Sequence, residues 1–236
     1  MGYKKILILD YSARRSEATL IRRWLPKDSE ATSLFIDSAE SFPDQLIERD
    51  YTYVIHSGSE LSVTKTAPFT QKALNYIQSL KDKQIPQMGI CYGHQLICRA
   101  LLGPHAVRKS SQGLEAGWCK VSFINNTLRI AGVSKTETLW QHHLDEVIEL
   151  PKGSHIIATN SHTRIQAYVN TELRLFGTQF HPEYDRKKGN EFFLEDRDLL
   201  ESHNYHVDEI IKHGPSIESG KIFFNFFLDY FQENVD

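Results

Sequence analysis

Two short segments of this 236-residue chain carry side chains able to do covalent chemistry. Gly89-Ile90-Cys91-Tyr92-Gly93 sets a thiol between two glycines, where an apolar run hands over to a helical pattern. In a G-x-nucleophile-x-G elbow the glycines allow a turn tight enough to hold the nucleophile above a sheet. The helix that follows aims its N-terminal dipole and free N–H groups at the sulfur, which favours thiolate. The N–H of Tyr92 then points to where an oxyanion would form. The second segment is Phe180-His181-Pro182-Glu183. In extended backbone residues i and i+2 project to one side, and Pro182 biases His181 toward that geometry. An imidazole with a carboxylate two residues away supplies the base and its orienter. Alone, Cys91 reads as a buried strand-end thiol and His-x-Glu as a surface pair; together in an α/β chain they read as a triad.

The surrounding elements must bring these segments together. Lys5–Leu9 reads as a strand, followed by a helix with Leu20, Ile21, Trp24 and Leu25 on one face. Ser33–Ile36 and Tyr53–Ile55 read as strands, the latter running into His56-Ser57-Gly58-Ser59. Thr70–Leu80 has helical spacing at Ala73, Ile77 and Leu80. Gln87–Cys91 reads as a strand and Gly93–Leu102 as a helix capped by Gly103. This alternation implies a parallel sheet with helices on both faces. Val107, Trp118–Phe123, Leu128–Ile130, Ile156–Thr159, Ile165–Val169 and Leu175–Phe180 read as shorter strands forming an antiparallel extension. Residues 185–215 are polar with helical tendency and read as an insertion, while 217–233 read as a C-terminal helix docked through its phenylalanines. No repeat or linker divides residues 1–236, which read as a single domain.

Composition narrows the function classes. With 40% hydrophobic and 24% charged residues the chain is neither disordered nor fibrous. Lys plus Arg is 27 against 30 for Asp plus Glu, so no basic excess points to nucleic acid or an anionic membrane. Three scattered cysteines, Cys91, Cys98 and Cys119, argue for a reducing compartment over a disulfide framework. The apolar run Ile6–Leu9 is too short for a signal-peptide core or a membrane span. A soluble cytoplasmic protein is expected.

The motifs resemble those of the class I (triad-type) glutamine amidotransferases. Gly-Ile-Cys-Tyr-Gly-His-Gln at 89–95 and Gly-Thr-Gln-Phe-His-Pro-Glu at 177–183 are similar to that family's two signature segments. The resemblance runs from Ile6 to about Tyr184. It is closest in look to the amidotransferase domain of GMP synthase, through Glu115-Ala116-Gly117-Trp118 and Trp140-Gln141-His142-His143-Leu144-Asp145. The resemblance implies a flavodoxin-like three-layer α/β/α fold with a mostly parallel central sheet. It implies Cys91 as nucleophile, His181 as base and later acid, and Glu183 as orienter. The N–H groups of Gly58 and Tyr92 would form the oxyanion hole, and Gln95, Leu144 and Asp145 would hold the substrate. No metal or organic cofactor is implied. Two departures stand out: Ser57-Gly58-Ser59 replaces Gly-Gly-Pro, and Leu144 stands where the synthase pattern has Gly.

The implied activity is hydrolysis of the side-chain amide of L-glutamine through a γ-glutamyl thioester, with ammonia passed to an acceptor. The synthase's Ser-Gly-Gly-x-Asp-Ser segment is absent from the chain, so the acceptor would sit on a separate synthetase subunit. A stand-alone γ-glutamyl peptide hydrolase would use the same triad, and the third alternative is a non-catalytic regulatory module on this fold. His142-His143 and His203-x-x-His206 lack a Cys or carboxylate cluster at ligand spacing. Cys98 and Cys119 read as packing thiols, and His94 as a helix residue near the site.

Overall fold

Ile6, Leu7, Ile8 and Leu9 are all fully buried, and their alternation decides the layering. In strand β1 (Lys5–Asp10) successive side chains face opposite sides of the sheet, so Ile6 and Ile8 enter one core and Leu7 and Leu9 the other. Burial on both faces is why this strand reads as a continuous apolar run. The computed structural model describes residues 4–42, 51–124 and 128–233.

After β1 come α1 (Glu17–Arg22), β2 (Glu30–Phe35), β3 (Tyr53–His56), α2 (Thr70–Asp82), β4 (Gln87–Ile90) and α3 (Tyr92–Leu102). The middle of the chain holds β5 (Val107–Lys109), β6 (Glu115–Phe123), β7 (Thr136–His143), β8 (Asp145–Val147) and β9 (His155–Thr159). It closes with β10 (Ala167–Asn170), β11 (Leu175–Thr178), α4 (Arg186–Glu195), α5 (Arg197–Ser202), α6 (Val207–Ile210) and α7 (Ser219–Glu233). Among the described residues the main sheet has nine strands in the order β2-β1-β3-β4-β11-β10-β9-β6-β7. The five from β2 to β11 are parallel, and the four beyond are antiparallel. Strands β5 and β8 form a separate antiparallel pair.

One face of the sheet packs on Ala18 and Ile21 of α1 and on Phe223, Phe224, Phe227, Leu228 and Phe231 of α7. The other packs on Ala73, Ile77 and Leu80 of α2 and on Leu96 and Ile97 of α3. The result is the expected three-layer α/β/α arrangement. A third cluster joins Leu114, Ala116 and Trp140 of the antiparallel region to Tyr184, Phe193, Leu200 and Val207, and so fastens α4–α6 over the sheet's end. Among the described residues no helix is long and apolar enough to cross a membrane.

Several expected bounds shift. Leu128–Ile130 lies outside any strand; Leu128 and Ile130 instead pack into the core shared with α7. The run 175–180 leaves the ladder at Thr178, because the Gln179 N–H donates to Gln166 O and the His181 N–H to Trp140 O. Val107 belongs to the small sheet rather than the main one. Strands β7 and β8 are not expected from the sequence pattern. Strand β7 pairs along its whole length with β6, from Glu115↔His143 to Ser122↔Thr136, and β8 pairs with β5.

The β4–α3 junction is a tight turn. Cys91 sits at φ 47°, ψ −102°, a left-handed backbone that side chains avoid and that costs about 1–3 kcal/mol. It is held there by the Cys91 N–H donating to Thr178 O at 2.8 Å and the Gly93 N–H donating to Ser57 O at 3.0 Å. A Cβ on Gly93 would collide with the backbone carbonyl of His56. Gly93→Ala should therefore lower the melting temperature by roughly 2–12 °C, the range expected when 1–3 kcal/mol of overpacking strains a domain of this size. An unchanged thermal transition would show that the junction has slack.

Candidate active site

The site lies at the carboxyl ends of two adjacent parallel strands. In the β4–β11 register Ile90 pairs with Thr178, so Cys91 follows one strand and Gln179–Glu183 the other. Ligands of open α/β sheets sit outside such strand ends. Beside them lies the turn after β3. Ser57 Oγ accepts from the Tyr11 N–H at 2.9 Å and donates to Gly58 O at 2.7 Å. Ser59 Oγ donates to Tyr11 O at 2.8 Å and accepts from the Leu61 N–H at 3.1 Å. The two serines that replace the resembling pattern's Gly and Pro thus tie the turn to the end of β1. The Gly58 N–H has no hydrogen-bond partner among the described residues, and the Tyr92 N–H is directed at the Cys91 sulfur. Gly58 must lack a side chain, since a Cβ there would lie 2.5 Å from His181 Cε1.

His181 and Glu183 are both buried, and His181 Nδ1 lies 2.5 Å from Glu183 Oε1. An ionised Glu183 fixes the proton on Nδ1 and leaves Nε2 as the acceptor. The imidazole is walled by Trp140, edge-on at 4.8 Å between ring centroids, and by Tyr184 at 5.6 Å. Trp24 Nε1 donates to Glu183 O at 2.9 Å and Ser219 Oγ to Pro182 O at 2.9 Å, so α7 anchors this corner from behind.

Cys91 opens on a cavity of about 180 Å³ that Gln95, Leu144 and Asp145 also line. That is smaller than the ~300–1,000 Å³ of drug-sized sites and suits a single amino acid. His181 faces an adjoining cleft with Glu17, Trp140, Tyr184 and Phe192, and both spaces share Ser59, Glu60 and His142. Gln95 Nε2 donates to Asp145 O at 2.7 Å and to Gln179 Oε1 at 3.0 Å, binding α3 to the β7–β8 turn. Asp145 Oδ2 accepts from Ser62 Oγ at 2.6 Å, and Leu144 is exposed at the rim. Of the residues singled out from the sequence, Cys91, Gln95, Leu144 and Asp145 share one cavity. His181 and Glu183 stand beside it, and Gly58 and Tyr92 frame the junction.

Other residues of the site were not assigned to it from the sequence. Asp196, Leu199 and His203 close the cavity from α5 and its cap, and Glu60, Leu61 and Ser62 from the turn after β3. Behind the β7–β8 turn, Glu115 accepts from Gln166 Nε2 at 2.9 Å and Asn160 Nδ2 at 2.5 Å, and lies 2.8 Å from His143 Nε2. Burial opposes its ionisation, but the bond and charge of His143 hold its carboxyl below the usual range. This cluster buttresses Leu144 and Asp145. His94 lies away from both spaces, under Gly177 and Tyr168. Cys98 is buried with its sulfur 3.7 Å from Tyr168 Oη, and Cys119 is half-buried.

Burial governs the electrostatics. It pushes the Cys91 thiol far above its ordinary value; Glu183 and Glu17 push it further, and the Tyr92 N–H pulls it down. Burial and the two carboxylates thus oppose the thiolate that the helix terminus favours. Burial likewise drives His181 below its ordinary value against the pull of Glu17. Thiol and imidazole are thus both pushed toward their neutral forms. Such a pair yields thiolate as the proton moves to the ring during attack. Alkylation of Cys91 by iodoacetamide should consequently accelerate about tenfold per pH unit from pH 7 to 9 without a plateau, because only thiolate reacts. A rate already level at pH 7 would mean a preformed thiolate.

Comparison with known proteins places this geometry. Residues 26–199 match the family model described as glutamine amidotransferase class-I. The chain is 33% identical over 163 residues to the glutamine-hydrolysing GMP synthase subunit of Sulfolobus acidocaldarius, covering 68% of this chain and 84% of that one. It is 36% identical over 154 residues to the corresponding protein of Sulfurisphaera tokodaii, covering 64% and 79%. In fold it is similar to the crystal structure of a glutamine amidotransferase from Thermotoga maritima, with a TM-score of 0.78 at 18% identity and 99% and 98% of the two chains covered. The family match spans most of the chain and includes the cysteine elbow and the His-Pro-Glu corner: the chain belongs to the class I glutamine amidotransferases.

Proposed function

We propose that this chain hydrolyses the side-chain amide of L-glutamine through Cys91, His181 and Glu183 and passes ammonia to a separate synthetase, as in a GMP synthase-like pair. The observation that carries this reading is the β4–β11 register, which sets an elbow cysteine and a buried His–Glu pair at neighbouring strand ends, on two adjoining spaces. The Cys91 sulfur attacks the amide carbon as its proton passes to His181. The Gly58 and Tyr92 N–H groups hold the oxyanion, each donor being worth about 3–4 kcal/mol of barrier. His181 returns the proton to the leaving ammonia, giving a γ-glutamyl thioester. It then takes a proton from water, which cleaves the thioester to glutamate and restores the thiol. Gln95, Leu144 and Asp145 hold the amino and carboxylate ends of glutamine. All residues from 1 to 236 form one such domain in this reading, with 185–215 as an insertion against the site. A thiol nucleophile also suits the reducing cytoplasm.

A γ-glutamyl peptide hydrolase is the second reading, and the cavity wall favours it: Leu199 and His203 of the α5 region face the same space as Cys91. Purified protein assayed with glutamine and with γ-glutamyl dipeptides separates the two. The ammonia-donor reading expects glutamine to have the higher kcat/KM and Cys91→Ala to abolish turnover. Preference for dipeptides would replace it, and no turnover with either, alone or with a synthetase, would leave a non-catalytic module.

The serine clamp has its own consequence. Ser57→Gly removes the bonds to Tyr11 N and Gly58 O and frees the Gly58 peptide to rotate. Loss of a fixed oxyanion donor costs about 10²–10³ in kcat, so partial loss of its orientation should cost roughly tenfold with KM little changed. Unchanged kcat would show that the clamp is not what orients the Gly58 N–H.

A further inference from the structure

A second carboxylate stands at the triad. Glu17, in the first turn of α1, is buried, and its Oε1 accepts from Tyr184 Oη at 2.8 Å. Its Oε2 is buried without a partner and lies 3.9 Å from His181 Nδ1. Glu183 mirrors this: Oε1 binds His181, and Oε2 is buried without a partner. One oxygen from each carboxylate and the imidazole nitrogen all lie within 4.8 Å of one another. Two ionised carboxylates this close repel, and each would keep a desolvated acceptor without a protein donor. One proton between them removes both penalties.

We propose that Glu17 is a positioning residue of the triad: it shares one proton with Glu183 across their two Oε2 atoms, so that the pair presents a single negative charge to His181. Glu17 is the proton's usual seat, since Glu183 is engaged by the imidazole. The other groups facing the pair fit a net charge of minus one. Tyr184 donates to Glu17, while Asp10 is occupied by Ser12 and by the Ala18 N–H. The charges of His143 and Glu60 act on His181, and that of Asp145 on Cys91. Glu60 lines the cleft, and its partner Arg14 also binds Glu195 and Asp196; Arg23 is paired with Asp185. Burial holds the carboxyls of both Glu17 and Glu183 above their ordinary values, which is the direction the shared proton requires.

The shared proton tunes the nucleophile. A second negative charge would hold the Cys91 proton more tightly and bind the imidazolium more strongly once formed. Keeping the pair singly charged lets His181 both take the thiol proton and give it up to the leaving group. As pH rises, the pair loses its proton and the balance is lost, so wild-type kcat should fall on an alkaline limb that belongs to the pair.

The inference rests on His181 acting as the base, and two measurements keep the two claims distinguishable. The first needs no turnover. Infrared difference spectra at pH 7 of wild type against Glu17→Gln, repeated in a Cys91→Ala background, should show the C=O band of one protonated carboxyl that shifts in D2O and disappears with Glu17. No such band, in protein folded by circular dichroism, overturns the proposal whatever the activity. The second is the pH profile of kcat. Glu17→Gln should lack the pair's alkaline limb, and Tyr184→Phe, which removes a donor to Glu17, should move that limb to higher pH. Tyr184→Phe serves both measurements should Glu17→Gln not fold, because the band then persists at a shifted frequency. Superimposable profiles or an unshifted band would overturn the shared proton.

Discussion

The parallel pairing of β4 with β11 is the constraint on which the rest of the site depends. It joins two segments far apart in sequence and matches Ile90 with Thr178, so that the residues leaving each strand emerge together at the sheet's carboxyl edge. The Cys91 N–H extends the ladder by one bond to Thr178 O, which holds the cysteine in its left-handed backbone. On the neighbouring strand the chain turns away one residue later, toward Gln166 and Trp140, and this turn swings His181 over Gly58. A slip by one residue would send both side chains to the opposite face.

Once the strands fix the positions, burial sets the charge states. Cys91, His181, Glu183 and Glu17 are all withdrawn from water, and each is pushed toward its neutral form. In the proposed reaction such a site would form charge only along the reaction path, where fixed N–H donors can meet it. The serine clamp on the Gly58 turn fits that logic, since it orients the peptide with bonds internal to the chain. The helices after Tyr184 contribute through packing: Phe193 stacks on Trp140 with centroids 5.0 Å apart, and Trp140 forms one wall of the imidazole.

The elbow and the His-Pro-Glu corner were legible because their chemistry depends on short local spacing, and the parallel strands because double-sided burial leaves unbroken apolar runs. Strand β7 was not legible. Its Thr136, Thr138, Gln141 and His142 break the alternation, and its partner β6 supplies the pairing that makes it a strand. Leu128–Ile130 misled in the opposite sense: an apolar run served a core contact without a ladder. Glu17 left no trace, because a single acid in a short amphipathic stretch looks like any solvated helix residue; only the fold carries it to Glu183. For a similar reason the sequence displays the helix terminus that favours a thiolate at Cys91 but not the burial that opposes it.

The central proposal is that Cys91, opening on a cavity of about 180 Å³, is the nucleophile that attacks glutamine. A diazoketone analogue of glutamine, incubated with the folded protein and followed by intact-mass measurement and peptide mapping, tests this in one step. The geometry predicts a single adduct on Cys91, slowed by excess glutamine and absent from Cys91→Ala. An adduct on Cys98 or Cys119, or none on folded wild-type protein, would contradict it.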